Sequence, residues 1–106
     1  MENSFIRELY KQFPLVEVEL EDGAAFVEEK EVEVNDYLVV ISYNVFAEVL
    51  SVQATYEHPA YEEIGTPECT LELIEVYKDG ELVEMEPDKN QITLIEVILA
   101  RNTVIR

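Results

Sequence analysis

Residues 37–57 read YLVVISYNVFAEVLSVQATYE, a run rich in β-branched and aromatic residues that favour strands. As a single strand rising about 3.3 Å per residue, this run would span about 70 Å. A globular domain of 106 residues is only about 33 Å across when treated as a uniform sphere. We therefore expect the run to break between Asn44 and Glu48, giving strands near residues 37–44 and 48–57.

Upstream of this run, apolar and acidic residues alternate, which is typical of a strand with one solvated face. The alternation predicts a strand over residues 15–21, followed by a turn at Asp22-Gly23, a preferred pair for a two-residue hairpin. A return strand begins at Phe26, is interrupted over residues 28–30 and regains its alternation at Val32. Asn35-Asp36 is a second candidate turn.

Downstream of the run, residues 58–68 read HPAYEEIGTPE and contain two prolines and a glycine, which exclude a central strand. We interpret this segment as a loop. Residues 70–78 again favour a strand, Asp79-Gly80 favours a turn, and residues 81–86 are candidates for a return strand.

An amphipathic helix is predicted near the start of the chain, over residues 4–13. Its apolar residues fall at helical spacing, Asn3 or Ser4 is available as a cap, and Pro14 ends it. The apolar stripe consists of Phe5, Ile6, Leu9, Tyr10 and Phe13.

The segment near the end of the chain is ambiguous. Asp88 or Asn90 is a candidate cap for a helix that runs through Arg101, but the many β-branched residues over 92–98 also suit a strand. The sequence thus predicts one α+β domain spanning residues 1–106. An antiparallel β-sheet dominates it, with a short N-terminal helix and a C-terminal helix. An all-β sandwich is the alternative if residues 90–100 form a strand.

Charge narrows the classes of function. The chain has 24 acidic and 7 basic residues, so its formal net charge is −17, and no Lys or Arg occurs between Lys30 and Lys78. Direct binding to nucleic acid or to an anionic membrane needs clustered basic residues, so we expect neither. The acidic residues alternate with β-branched ones, which indicates that they are mounted on a folded sheet.

The residues that carry chemistry are few. Cys69 is the only cysteine, and no segment resembles a signal peptide or a membrane span, so we expect a cytoplasmic protein. His58 lies near Glu57, Glu62 and Glu63, but without the spacing of a specific metal motif. We predict no catalytic, cofactor-binding or metal-binding residue and no enzymatic activity, and we keep a divalent-cation-dependent protein as an alternative.

The best candidates for protein contact lie in and beside the proline-rich loop. Tyrosine buries a large area and keeps a polar tip, so it suits interfaces. We predict possible protein-contact residues at Tyr56, Glu57, Tyr61, Glu62 and Glu63.

The second half of the chain resembles small acidic proteins encoded by bacterial phages and integrated mobile elements. The similarity rests on the strand that ends in Ala54-Thr55-Tyr56, the Pro/Tyr/Glu loop at 57–68, the strand LELIEV at 71–76, the Asp79-Gly80 turn and the final helix-like segment. The resemblance implies an α+β fold and no established activity. We therefore predict a non-enzymatic binding or accessory protein with an acidic surface and a protein partner, possibly basic.

A more specific alternative follows from the charge. Duplex DNA carries about 20 charges over 34 Å, and the sequence predicts a net charge of −17 on a body about 33 Å wide. The alternative prediction is therefore a DNA mimic that inhibits a nucleic-acid-binding protein.

Overall fold

The computed structural model describes residues 1–52 and 61–106, and it describes side chains outside residues 49–64. Its two helices are α1 (Asn3–Gln12) and α2 (Lys89–Asn102). The strands, in chain order, are β1 (Val16–Val18), β2 (Ala24–Val34), β3 (Tyr37–Phe46), β4 (Val49–Val52), β5 (Tyr61–Ile64), β6 (Glu68–Lys78), β7 (Glu81–Val83) and β8 (Thr103–Ile105). The molecule is elongated, with extents of 61 × 23 × 20 Å.

The main element is a four-stranded antiparallel sheet in the order β2-β3-β6-β7. The long run that begins at Tyr37 supplies its central strand β3, and the chain leaves this sheet at Ala47 and Glu48 before β4 begins. The expected break is therefore confirmed, although β3 continues two residues past the predicted end at 44. The part of the predicted second strand beyond residue 52 lies outside the described residues. Strand β4 pairs with β5 in a separate two-stranded ribbon.

Tight turns connect β2 to β3 and β6 to β7 in the main sheet, and a third tight turn precedes β2. In Asp79-Gly80 and in Asp22-Gly23, both residues have positive φ, which matches the twist of the flanking strands. Asn35-Asp36 links β2 to β3 in the register Val34↔Tyr37. All three predicted turns are present.

The predicted interruption of β2 is a bulge. Glu28 and Glu29 together oppose Ser42 of β3, and the Glu29 N–H donates to the Ser42 hydroxyl at 2.9 Å. On the other side of β3, Glu72 of β6 is an extra residue at the same level. Both irregularities therefore lie opposite the same part of the central strand. On either side of them, paired residues still project to the same face of the sheet.

Helix α2 resolves the ambiguity at the end of the chain. The Asp88 carboxylate accepts from the Gln91 N–H at 2.8 Å, while the Gln91 side-chain oxygen accepts from the Asp88 N–H at 3.0 Å. This capping box fixes the helix start despite the β-branched residues that follow. The fold is α+β and dominated by an antiparallel sheet, as predicted, and the all-β alternative is wrong.

The main core lies between the sheet and the two helices, with α1 packed on β2 and α2 on β6. The Phe5 and Tyr37 rings meet edge to face, with centroids 5.5 Å apart. The Glu96 carboxylate of α2 accepts from the Leu71 N–H of β6 at 2.9 Å. The fully buried side chains of this core include Leu9, Val34, Val39, Ile41, Tyr43, Val45, Ile95 and Leu99.

Several sequence predictions were wrong in detail. The alternation over residues 15–21 yields only the three-residue β1, which pairs in parallel with β8, a strand that was not predicted. Beyond one bridge between Glu21 and Ala24, the first turn does not join β1 to β2. Strand β5 lies inside the predicted loop, but in a two-stranded ribbon, where prolines on either side are tolerated.

The predicted cap of α1 was also wrong. Glu2 occupies the N-cap position and its side chain makes no capping bond, because Asn3 and Ser4 are already inside the helix. The Asn3 side-chain oxygen instead accepts from the Gln91 amide at 3.1 Å. The helix ends at Gln12, one residue short of the predicted end, and its C-cap Phe13 has the extended backbone expected of a residue before proline.

Candidate functional site

The register of the four-stranded sheet divides its residues between two chemically different faces. Paired residues project to the same side, and their neighbours along each strand project to the other. The face that contains Val39 and Ile41 packs against α1 and α2, and we call it the helix face. The opposite face, which contains the rows Glu33–Leu38–Tyr77–Leu82 and Glu31–Val40–Glu75, is the outer face.

The outer face carries large apolar side chains that neither α1 nor α2 covers. Leu82 is 61% exposed and Phe26 is 55% exposed, and Leu73 and Phe46 are also exposed. Leu38, Val40 and Tyr77 lie between them and are half-buried. Single exposed apolar residues are ordinary, whereas several on one face indicate an interaction surface.

Carboxylates line the half-buried part of this face. An open groove of about 610 Å³ crosses the face over Leu38, Val40 and Tyr77. Its acidic lining residues are Glu29, Glu31, Glu33, Asp36, Glu75 and Asp79. The Tyr77 hydroxyl donates to the Glu75 carboxylate, and this hydrogen bond raises the pKa of Tyr77. The groove is therefore negative over an apolar floor.

The basic residues of the sheet lie on the other side. Lys30 pairs with Ile41 and Lys78 pairs with Tyr37, so the register assigns both lysines to the helix face. The Lys78 ammonium lies 5.4 Å from the centre of the Tyr37 ring. The remaining basic residues are on the helices and at Arg106, which binds Glu17. Within the described sheet, the outer face has no Lys or Arg.

The predicted contact residues lie elsewhere. Tyr56 and Glu57 fall outside the described residues, as does His58. The backbones of Tyr61, Glu62 and Glu63 lie in β5, paired with β4, and their side chains are outside the described set. Their role in protein contact stays a prediction.

Cys69 is a buried core residue on the helix face. Its thiol lies 3.7 Å from the Thr103 hydroxyl, which is also 3.3 Å from the Tyr43 hydroxyl and donates to the Leu99 carbonyl at 2.6 Å. Burial raises the pKa of Cys69, and the nearby Glu96 carboxylate raises it further. A buried thiol with a raised pKa is a poor nucleophile, so we interpret Cys69 as a packed core side chain.

The described residues 1–52 and 61–106 contain no group of three or more His, Cys, Asp or Glu side chains placed to hold a metal ion. They also contain no helix long and apolar enough to cross a bilayer.

The outer face was not predicted from the sequence. A usable signal was present, because a two-residue turn at Asn35-Asp36 pairs Glu33 with Leu38 and Glu31 with Val40. In the same way, a two-residue turn at Asp79-Gly80 pairs Tyr77 with Leu82. The pairing of β3 with β6 could not be derived in this way, because a long connection separates them.

Comparisons with models of protein families, with curated protein sequences and with solved structures find no match for this chain. The expected similarity to proteins of phages and mobile elements stays a prediction. A function must therefore be argued from the faces of the fold.

Proposed function

We propose that the protein is a non-enzymatic binding protein whose outer face engages a basic partner protein. The observation that carries this proposal is the sorting of the sheet: uncovered apolar side chains and carboxylates on one face, lysines on the other. A surface that only maintained solubility would not need exposed residues such as Leu82 and Phe26.

The chemistry of this face suits a protein partner. Protein interfaces combine an apolar centre with a charged rim, and the outer face combines exposed apolar side chains with a groove lined by carboxylates. Three long strands about 4.8 Å apart and about ten residues long give a flat area on the order of 500 Å². Side-chain relief increases this area toward the roughly 800 Å² that one partner contributes to a standard interface.

Charge supports the basic character of the partner. The net charge of −17 accelerates encounter with any cationic protein, and the carboxylates of the groove orient the partner on arrival. Lys and Arg side chains of a partner have aliphatic stems that pack on residues such as Leu38 and Val40, while their charged ends reach Glu31 and Glu75.

DNA mimicry receives less support from the shape. Duplex DNA carries about 36 charges over the 61 Å length of this molecule, about twice the net charge of the chain. Apolar residues such as Leu82 and Leu73 also have no counterpart in a phosphate backbone. We therefore favour a basic protein recognised through mixed apolar and charged contacts, and mimicry becomes an outcome of the test.

The test is affinity capture with paired variants. Native protein is immobilised beside Glu31→Gln/Glu33→Gln, which removes two charges from the outer face. The matched control, Glu19→Gln/Glu21→Gln, removes two charges from exposed positions outside the main sheet. Captured proteins are identified and their affinities for all three baits are measured, before and after a challenge with duplex DNA.

The proposal requires a basic protein that binds native protein and the control alike, binds the outer-face variant at least about fivefold more weakly and is not released by DNA. Release by DNA would favour mimicry. Equal weakening by both double variants would contradict a specific face and leave only a general effect of charge.

A further inference from the structure

A second surface lies between the two helices, on the opposite side of the molecule from the outer face. The Gln91 amide near the start of α2 donates to the Asn3 side chain at the start of α1 at 3.1 Å. The Arg101 guanidinium near the end of α2 lies 5.0 Å from the centre of the Tyr10 ring near the end of α1. The helices therefore run side by side and parallel.

An apolar groove of about 440 Å³ follows the seam between these helices. Ile6 and Ile98 are buried beneath it. Its walls are Tyr10, Leu94 and Val97, which are 44%, 49% and 51% exposed. This groove explains why Tyr10 is exposed although it belongs to the apolar stripe predicted for α1.

Two arginines line the same groove. Arg7 and Arg101 are exposed, and neither forms a salt bridge with any side chain that the structure describes. The Arg101 guanidinium lies over the Tyr10 ring. This contact does not use its N–H groups, so they can donate hydrogen bonds to a carboxylate. Glu8, the acidic residue within α1, forms a salt bridge of 3.5 Å with Lys11.

We propose that this groove binds an amphipathic helix of a partner protein, with its apolar face on Leu94 and Val97 and acidic side chains beside Arg7 and Arg101. Leu94, Val97 and Arg101 follow the i, i+3, i+7 spacing of one helix face, so they form a straight edge against which a third helix packs. Charge complementarity selects the acidic flanks.

The overall negative charge does not prevent this binding. At an ionic strength of about 0.15 M, interactions between exposed charges are largely screened beyond about 8 Å. The two arginines in the groove therefore determine the local preference, whereas the carboxylates of the outer face lie across the sheet. The two surfaces favour partners of opposite charge, and the groove does not depend on the function proposed for the outer face.

The test uses a synthetic helical peptide with leucines at i, i+3, i+4 and i+7 and glutamates on both flanks. A second peptide has lysines in place of the glutamates. Binding is followed by backbone amide shifts in two-dimensional nuclear magnetic resonance spectra of native protein at about 0.15 M salt. The variants are Arg7→Glu/Arg101→Glu, Leu94→Gln/Val97→Gln and, as a control, Lys89→Glu on the same helix.

We expect the glutamate peptide to shift the amides of Tyr10, Leu94 and Val97. Both double variants should weaken its binding by about tenfold or more, whereas Lys89→Glu should change it by less than about twofold. The proposal is overturned if those amides do not shift, if the lysine peptide shifts them as strongly, or if Lys89→Glu weakens binding as much. Sedimentation that shows a dimer of native protein, which Leu94→Gln/Val97→Gln converts to a monomer, would also overturn it.

Discussion

Replacing Ile95 by alanine tests how α2 is seated on the sheet. Ile95 is fully buried in the core between α2 and the helix face. Removing a buried isoleucine side chain leaves a cavity and loses the transfer free energy of its methyl and methylene groups. We therefore expect Ile95→Ala to lower the free energy of unfolding by about 2–5 kcal/mol, a large part of the roughly 5–15 kcal/mol that stabilises a typical domain.

Leu94 provides a matched control. It has an isomeric side chain, it is the preceding residue of the same helix, and it is 49% exposed. Because only part of its surface leaves water on folding, Leu94→Ala should cost about 1 kcal/mol or less, and the higher helix propensity of alanine offsets part of that cost.

Urea unfolding followed by circular dichroism measures both variants against native protein. The m-value should be the same in all three proteins, so that the midpoints report stability alone. The rotation of α2 about its axis determines which of these two adjacent residues is buried against the sheet. Equal losses of unfolding free energy in the two variants, or a loss below about 1.5 kcal/mol for Ile95→Ala, would therefore refute this orientation of α2.

Three further predictions concern single contacts. Asp88→Ala should destabilise α2 by about 1 kcal/mol in urea unfolding, whereas Asp88→Asn, which keeps an acceptor for the Gln91 N–H, should stay within about 0.5 kcal/mol of native. Burial raises the pKa of Tyr43 in the folded protein above 10.0, its ordinary value, so the stability that this group contributes is present below pH 10 and is lost as the pH rises through the pKa of the folded state. Urea titrations above pH 10 should therefore show a smaller alkaline loss of stability in Tyr43→Phe than in native protein. Gly80→Ala places a side chain at φ +81°, where nothing else crowds it, and should lower the melting temperature through backbone strain of about 1 kcal/mol, a shift that a thermal melt detects.

Local signals predicted the elements of the fold well. The Asp-Gly pairs needed positive φ, and Pro14 ended α1 by a steric effect on the residue before it. The interruption over residues 28–30 marked a bulge because alternation resumed beyond it. Each of these features depends on neighbours in the sequence, which is why the pattern alone contained them.

Long-range features could not be predicted in the same way. Strand β8 has three residues, and it exists because Val16 meets Thr103 when the two parallel helices bring their following segments together. The alternation over residues 15–21 fits a strand of seven residues, but only three find a partner. The proline-rich loop was predicted as a contact site from its residue composition. The outer face could be recognised only once the pairing of β3 with β6 was known.

Site-specific photo-crosslinking tests whether the outer face is the surface that contacts the basic partner protein. A benzophenone side chain is introduced at position 82 on the outer face, or at position 15, which is also exposed but lies just before β1. We predict that the basic partner identified by capture crosslinks efficiently from position 82 and only weakly from position 15. Efficient crosslinking from position 15, with little from position 82 while the partner remains bound, would contradict it.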